Sequence, residues 1–273
     1  MNPDVLPDLQ QPYRQFVTDY LKLLLARAQR AHRHLDTADR RSIHTFRVAV
    51  RRLHTWLSIP GLLPVTDKKL LRRLKHHIKA TNALRDAAIH NKWLKKHGYS
   101  QRIALKPPSL PHRWNRLCRR LETSIETAAQ IHEDRLNEPF SCRGASVVQA
   151  LFDEFATALL TIHGAEDIRG IHHSRILAKR LRYMLEPFAA SDKQAEQLMQ
   201  EMVSFQDYTG MLHDLATMRD ALAPPPSLRA HIEREMKSLY QIVKTRHIRT
   251  REQLIRDFRE WLENCDIPPP DWV

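Results

Sequence analysis

The amino-acid sequence predicts an all-α protein made of two up-down four-helix bundles related by a pseudo-two-fold axis. Three observations predict this fold class. Glycine is scarce, with 6 in 273 residues. Apolar residues recur every three or four positions rather than every second position, which is the period of an amphipathic helix. The second half of the chain also repeats a pattern of the first half, which indicates an internal duplication.

The apolar periodicity predicts four helices in each half, with ends set by breaking residues. The first half has helices at about 12–36, 41–59, 67–97 and 110–137, and the second half at about 145–164, 169–189, 192–222 and 227–263. The breaks contain Pro60, Gly61 and Pro64, the segment Lys106 to Pro111 with three prolines, and Pro224 to Pro226. Four helices can bury their apolar stripes around a common axis, so each half is predicted to be one bundle.

The repeat has a shift of 128 residues, the separation of His44 and His172, and it needs no gap. The segment Arg41–Leu53 falls on Arg169–Leu181. Near the far end of the next predicted helix, the same shift puts Thr81, Leu84 and Asp86 on Thr209, Leu212 and Asp214. We therefore predict a single domain over residues 1–273, with repeat 1 at about 12–138 and repeat 2 at about 144–264.

The charge of the chain indicates the kind of partner it binds. Its 44 Lys and Arg residues outnumber its 31 Asp and Glu residues, which gives a formal net charge of +13. Such an excess favours an acidic partner: a nucleic acid, an anionic membrane surface or a phosphate polymer. Composition does not rank these three classes, so the arrangement of the charges along the helices has to do so.

The cysteines and the N-terminal residues favour a cytoplasmic setting. Cys118, Cys142 and Cys265 are odd in number and far apart, with no CxxC pair for metal or redox chemistry. The N-terminus lacks the basic start and apolar run of a signal peptide. The apolar run from Leu23 to Ala26 ends at Arg27, and we expect no membrane span.

Two predicted helices carry a row of cations beside an apolar stripe. The rows follow spacings of three and four, so each lies along one helix face. Neither row contains an acid, and like charges at these spacings repel. Because a bound anion would offset the repulsion, we interpret the rows as an anion site rather than an ordinary solvated face. The rows are Arg40, His44, Arg47 and Arg51 in the second helix, and His172, Arg175, Lys179 and Arg182 in the sixth.

Further cations can extend this site. Arg52 and Arg180 lie just off the rows, and their long side chains can reach the same groove. The basic surface need not belong to a single helix, because the third helix adds Arg72, Lys75, His76 and Lys79 at helical spacing.

Asp86 and Asp214 are acids at equivalent positions of the two repeats. We predict that they pair with Arg or Lys of the preceding helix and fix its side-chain directions, rather than act as catalytic acids or metal ligands. The pairs His76–His77 and His172–His173 suggest metal binding, but adjacent residues point to different helix faces and there is no HExxH motif. The sequence therefore predicts no metal and no cofactor.

His44 and His172 are predicted to donate hydrogen bonds to phosphate oxygens. A neighbouring anion raises the pKa of an imidazole, so the charged form is favoured in the complex. Binding is therefore expected to tighten at mildly acidic pH. Replacing Arg47 and Arg175 together by Ala is expected to weaken binding and to leave the helical fold intact.

The sequence resembles the CHAD family, the conserved histidine α-helical domain. The resemblance rests on His-x-x-Arg-Val-x-x-Arg-Arg-Leu at His44–Leu53 and His-x-x-Arg-Ile-x-x-Lys-Arg-Leu-Arg-Tyr at His172–Tyr183. Leu84-Arg85-Asp86 and Leu212-His213-Asp214 resemble the aspartate positions of the family. The likeness covers most of the chain and implies two four-helix bundles with a basic groove or pore for inorganic polyphosphate.

The resemblance also implies which residues bind. His54 departs from the family pattern, which is usually basic at that point, as Arg182 is in the second half. The first half is therefore expected to bind less tightly or with more dependence on pH. Carried over by position, the binding residues are His44, Arg47, Arg51, Arg52, His172, Arg175, Lys179, Arg180, Arg182 and Tyr183.

Three other functions compete with polyphosphate binding. Non-specific nucleic-acid binding is the main alternative, but Phe46 and Trp56 are expected in the core, which leaves no ladder of rings for stacking bases. A polyphosphate-processing enzyme is less favoured, because we find no P-loop, acid cluster for a metal or activated nucleophile. An adaptor on the surface of polyphosphate or other storage granules is a further class.

Overall fold

The computed structural model describes residues 6–37, 39–59, 62, 67–130, 137–222 and 224–265. These residues form helices and connecting segments and contain no β-strand, so the predicted all-α class is confirmed. The α-helices are α1 (Tyr13–Arg33), α2 (Arg40–Leu57), α3 (Lys68–Ala80), α4 (Asn82–Lys96), α5 (Trp114–Ala129), α6 (Phe140–Leu160), α7 (Ile168–Leu185), α8 (Lys193–Leu222), α9 (Pro226–Val243) and α10 (Arg251–Asn264). None of these described helices has the length and apolar character needed to cross a bilayer.

The described residues divide into two compact units, unit 1 up to Arg143 and unit 2 from Gly144 onward. Unit 1 packs α1 against α2 and α5, and α2 against α3. Phe46 and Trp56 of α2 are fully buried in its core, as the sequence predicted. Unit 2 is built on α8, which packs against α7, α9 and α10. Its largest buried side chains are Phe152, Phe155, Tyr183, Phe205, Phe258 and Trp261.

Helix α6 begins five residues earlier than the predicted start at about 145. The backbone N–H of Phe140 donates to Gln11 O at 2.9 Å, and that of Tyr13 donates to Glu138 O at 2.7 Å. The ring of Phe140 stacks on Phe16, with centroids 3.7 Å apart. These contacts satisfy donors at the start of α1 and α6, which would otherwise lack partners within their helices.

The helix predicted at 67–97 is two helices, α3 and α4, separated at Thr81. The backbone N–H of Thr81 turns back to Ile78 O at 3.3 Å, and its hydroxyl donates to the same oxygen at 2.8 Å. In unit 2 the equivalent Thr209 donates its hydroxyl to Phe205 O at 2.6 Å, one full turn back. Helix α8 runs through that position without a break.

Two other predicted helices differ from the structure. The one at 110–137 begins at Trp114, because the preceding segment is rich in proline and Arg113 has a positive φ of 70°. The one at 227–263 is divided into α9 and α10 by a π-helical turn at Lys244–Ile248. The predicted breaks at Pro60, Gly61 and Pro64, and the stretch 131–136, lie outside the described residues.

Candidate polyanion-binding site

A cavity of about 700 Å³ lies between α2 and the first turns of α4, and we call it the α2–α4 cavity. Its walls combine cations with aliphatic side chains, and Asp39 is the one acid among the described residues that line it. The cations come from both helices, so residues far apart in sequence meet on one surface. They are Arg40, Arg41, Arg47 and Arg51 of α2 and Arg85 of α4, and the side chain of His44 lies beside them.

Helix α2 presents these cations because its other face is fixed in the core. Ile43, Phe46, Val50 and Leu53 are buried at helical spacing. Asp39 caps the helix by accepting hydrogen bonds from Arg41 N at 3.0 Å and Ser42 N at 2.8 Å. Those bonds lower the pKa of Asp39, so its carboxylate stays ionised. The acid in the cavity therefore has a structural task at the start of α2.

Arg47 is more deeply placed than the sequence analysis assumed, with 5% of its surface exposed. Its Nη1 donates to Ile78 O at 3.0 Å, to Asn82 Oδ1 at 3.0 Å and to the hydroxyl of Thr81. Burial, followed by the charges of Arg51 and Arg85, lowers the pKa of Arg47 to about 10, and Asp86 opposes that shift. Arg47 remains charged at neutral pH and braces the junction of α3 and α4.

Asp86 forms its ion pair within its own helix, with Arg85 Nη1 and Asp86 Oδ1 2.8 Å apart. The sequence pattern predicts a partner on the preceding basic helix instead. Arg47 of that helix is close enough for Asp86 to affect its pKa, but its guanidinium donates to the α3–α4 junction instead. Both members of the Arg85–Asp86 pair are about one-third exposed, so the pair lies at the rim of the cavity.

The cations of α3 lie apart from the α2–α4 cavity. Arg72 and Lys75 are exposed along α3. His76 and Lys79 line a different cavity of about 490 Å³, together with His112 and the segment Ser109–Pro111. The predicted extension of one basic surface onto α3 therefore does not match the arrangement of these side chains. Arg52 is also separate, because it lies on the side of α2 that faces α1.

Unit 2 brings together a related set of cations on α7 and α8. The rings of His172 and His213 lie 5.4 Å apart between centroids. Burial lowers the pKa of His172, and the charges of His213, Arg175 and Lys179 lower it further. The charged form of His172 is therefore disfavoured in the free protein, and a nearby anion would favour it.

Arg175 repeats a contact of Arg47 at a distance of 128 residues. Its Nε donates to Gln206 O at 3.4 Å, as Arg47 donates to Ile78 O. The residue opposite the guanidinium differs, since Asn82 in unit 1 corresponds to Gly210 in unit 2. An added Cβ at Gly210 would lie 3.2 Å from Arg175 Nη2, so the missing side chain makes room for the guanidinium.

The remaining residues of the α7 motif differ in exposure. Lys179, Arg180 and Arg182 are half-buried. Tyr183 is 2% exposed, and the guanidinium carbon of Arg182 lies 4.6 Å from its ring centroid. A buried ring has no surface to offer a long polymer, so the structure gives Tyr183 a packing role. Asp214 is half-buried on α8.

Sequence reasoning did not assign a binding role to Arg85 or His213. Both stand immediately before the equivalent aspartates and lie beside the basic helix of their own unit. The 128-residue shift could have identified them, because it aligns Arg85 with His213 and so shows a basic residue at the same position of both repeats. These features define an all-helical protein in which each unit brings together basic side chains from two helices.

The chain belongs to the CHAD family, because the family model of the CHAD domain matches residues 15–223. The structure is similar to the crystal structure of the CHAD domain from the plant Ricinus communis, with a TM-score of 0.66. That match covers 93% of this chain and 94% of the plant chain at 18% sequence identity, so it shows a shared fold. None of the curated proteins matches the chain significantly.

Proposed function

We propose that this protein binds inorganic polyphosphate and does not react with it. The observation that carries the proposal is the α2–α4 cavity, where cations of two helices face one space of about 700 Å³. A guanidinium group can bind phosphate oxygens with two parallel hydrogen bonds. The cavity has four such groups in Arg40, Arg41, Arg51 and Arg85. Membership of the CHAD family supports the choice of polyphosphate among the anions that such a cavity would accept.

The lining of the α2–α4 cavity favours a phosphate polymer over a nucleic acid. Single-stranded nucleic acids gain affinity by stacking bases on aromatic side chains. The described residues that line this cavity include no Phe, Tyr or Trp. Its apolar walls come from aliphatic side chains such as Val48, Leu84 and Ile89. A polymer that carries charge and no bases matches this surface better.

Unit 2 supplies a second group of contacts in this proposal. In the absence of a ligand, burial and then the neighbouring His213, Arg175 and Lys179 lower the pKa of His172 and disfavour its charged form. Phosphate oxygens near these side chains would favour protonation of the two imidazoles. The proposal therefore predicts that proton uptake accompanies binding.

Binding without catalysis fits the acids around the α2–α4 cavity. Asp39 accepts two backbone hydrogen bonds as a helix cap, and Asp86 is paired with Arg85.

We place the protein in the cytoplasm, where it would associate with polyphosphate or with granules that store it. The absence of disulfides among the described Cys118, Cys142 and Cys265 is compatible with that setting.

The test compares polyphosphate binding by the wild type and by the double variant Arg51→Ala/Arg85→Ala at fixed salt. Each charged hydrogen bond contributes about 1.5 kcal/mol, so losing two is expected to weaken binding about 100-fold. Binding is measured by competition against a labelled long-chain polyphosphate, with DNA and RNA of matched charge as further competitors. The control is Lys95→Ala/Lys96→Ala, which removes two exposed charges at the other end of α4.

The proposal is wrong if both double variants lose the same small amount of affinity, because net charge alone would then explain binding. It is also wrong if nucleic acid of matched charge displaces polyphosphate as effectively as polyphosphate itself. Shortening of the polymer or release of phosphate in the presence of Mg²⁺ or Mn²⁺ would contradict the non-catalytic part. Circular dichroism and thermal unfolding of each variant confirm that its helices are intact.

A further inference from the structure

A second cavity of about 620 Å³ lies on the side of α2 that faces α1, and we call it the α1–α2 cavity. Its α1 wall carries Arg27, Arg30 and His34, and its α2 wall carries Arg41, His44 and Arg52. Leu24, Ala31, Val48 and Ala49 form aliphatic parts of the same walls. Like the α2–α4 cavity, it combines cations from two helices with an apolar floor.

The two cavities meet along the N-terminal half of α2. Arg41, His44 and Val48 line both of them, and so does the cap residue Asp39. His44 is exposed between the two spaces. An extended anion in one cavity can therefore continue into the other by crossing α2 at Arg41 and His44.

The cations on α1 are particular to unit 1. A shift of 128 residues puts Arg27, Arg30 and His34 on Phe155, Ala158 and Ile162. Those three residues are buried, with exposures of 1%, 5% and 6%. The hydroxyl of Ser174 on α7 donates to Ala158 O at 3.4 Å, so α6 and α7 are in direct contact at this level. Unit 2 fills with apolar packing the position where unit 1 has charged walls.

We propose that one polyphosphate chain occupies both cavities by crossing α2, and that unit 1 thereby selects long chains over short ones. This inference rests on the proposed function, since it assumes that the α2–α4 cavity holds phosphate. A helix with its side chains is about 10 Å wide. Tripolyphosphate is too short to cross that width and fill both cavities, whereas a long chain reaches both.

Occupation of two linked sites by one molecule raises affinity without any new type of contact. Once a chain is held in the α2–α4 cavity, its next segment is at high effective concentration at the α1–α2 cavity. Linked sites of this kind can increase affinity by about 100-fold or more over either site alone. Long-chain polyphosphate is therefore expected to bind at least about 100-fold more tightly than tripolyphosphate, counted per molecule.

The experiment measures the ratio of the two affinities, for long-chain polyphosphate and for tripolyphosphate, in the wild type and in Arg27→Ala/Arg30→Ala. The double variant is expected to lower the ratio by about 10-fold or more, because the second segment loses its guanidinium partners. The control Lys95→Ala/Lys96→Ala should leave the ratio unchanged. Arg30→Ala alone, at an exposed position, repeats the test with less risk to the packing of half-buried Arg27.

An unchanged ratio in both Arg30 variants would overturn the crossing of α2, whether the two affinities stay as they are or fall by the same factor. If Arg51→Ala/Arg85→Ala still weakens both polymers, the proposed function stands and only the crossing is wrong. If that double variant has no effect on either polymer, the proposed function fails, and the inference fails with it.

Discussion

Unit 1 and unit 2 each place an arginine of the basic helix against a backbone carbonyl of the next helical segment, and they do so 128 residues apart. Arg47 contacts Ile78 O, and Arg175 contacts Gln206 O. In unit 1 the arginine is buried and the receiving segment is broken into α3 and α4. In unit 2 the arginine is half-buried and α8 is continuous.

The difference between the units shows that one sequence motif can serve two purposes. The motif His-x-x-Arg supplies an exposed imidazole, at His44 or His172, and a guanidinium directed at the neighbouring helix. The histidine of the motif is exposed in both units. The arginine contacts the neighbouring helical segment, and its burial differs between the two units. Replacing the histidine should therefore change mainly the affinity for the ligand, and replacing the arginine should change mainly the stability of the unit.

The largest effect is expected for Arg47→Ala, which should destabilise unit 1 more than Arg175→Ala destabilises unit 2. The change removes the buried guanidinium that donates to Ile78 O, to the Thr81 hydroxyl and to Asn82 Oδ1, at a cost of about 2–3 kcal/mol. That is equivalent to a fall of about 4–12 °C in Tm for a unit of this size. Thermal unfolding of the two single variants measures both effects.

This expectation replaces the view that both arginines can be removed without harm to the fold. Equal and small losses of Tm in the two variants would show that burial of Arg47 contributes little. A lower Tm for Arg175→Ala than for Arg47→Ala would reverse the proposed ranking of the two units.

A smaller effect is expected on the pH dependence of binding, for which His172 is the group to test. Burial and neighbouring positive charges lower the pKa of His172 in the free protein, and a bound phosphate would raise it. Affinity should therefore rise as pH falls through the interval between the bound and free pKa values, and level off below it. His172→Asn should flatten this rise in a series of binding measurements at constant salt.

The matched variant is His44→Asn, at the equivalent position of unit 1. If affinity depends less on pH in His172→Asn and as in the wild type in His44→Asn, the protons taken up on binding are located in unit 2. The opposite pattern would locate them in unit 1. Without ligand, the lowered pKa of His172 means that its contribution to stability is present above the ordinary histidine pKa and is lost as pH falls through the lowered value.

The smallest effect is expected for Gly210→Ala, which should stabilise unit 2 by about 0.5–1 kcal/mol. Alanine has a higher helix propensity than glycine, and Gly210 lies within α8. The new Cβ would be 3.2 Å from Arg175 Nη2, the mobile end of a long side chain that can shift by a few tenths of an ångström. A lower Tm would instead show that the guanidinium of Arg175 is fixed in place.

The helices could be predicted from sequence because their apolar residues repeat at the helical period over many turns. Phe46 and Trp56 follow from that period directly. The break at Thr81 could not be predicted, since local propensity points the other way. In unit 2, Thr209 is followed by Gly210, which is a poor helix former, yet α8 continues through this position. In unit 1 the equivalent residue is Asn82, a better helix former than glycine, yet the helix is interrupted just before it.

Spacing could predict which basic residues share a face of α2, but not how deeply each one is buried. Spacing places His44, Arg47 and Arg51 along one face of α2, and the structure agrees. Spacing does not reveal that Arg47 is covered by the α3–α4 junction, because that depends on residues more than 30 positions away. The cations of α1 could not be recognised as part of a cavity from sequence either, because Arg27 and Arg30 lie in the second half of a helix with many apolar residues.

The buried position of Arg47 also has a consequence for binding in concentrated salt. Ions in solution screen the exposed charges of Arg40 and Arg41, whereas they approach a buried guanidinium far less closely. Arg47 also lines the α2–α4 cavity, so one of the positive charges that face this space is screened less than the exposed ones. Part of the attraction for phosphate should therefore persist at ionic strengths that abolish ordinary surface adsorption.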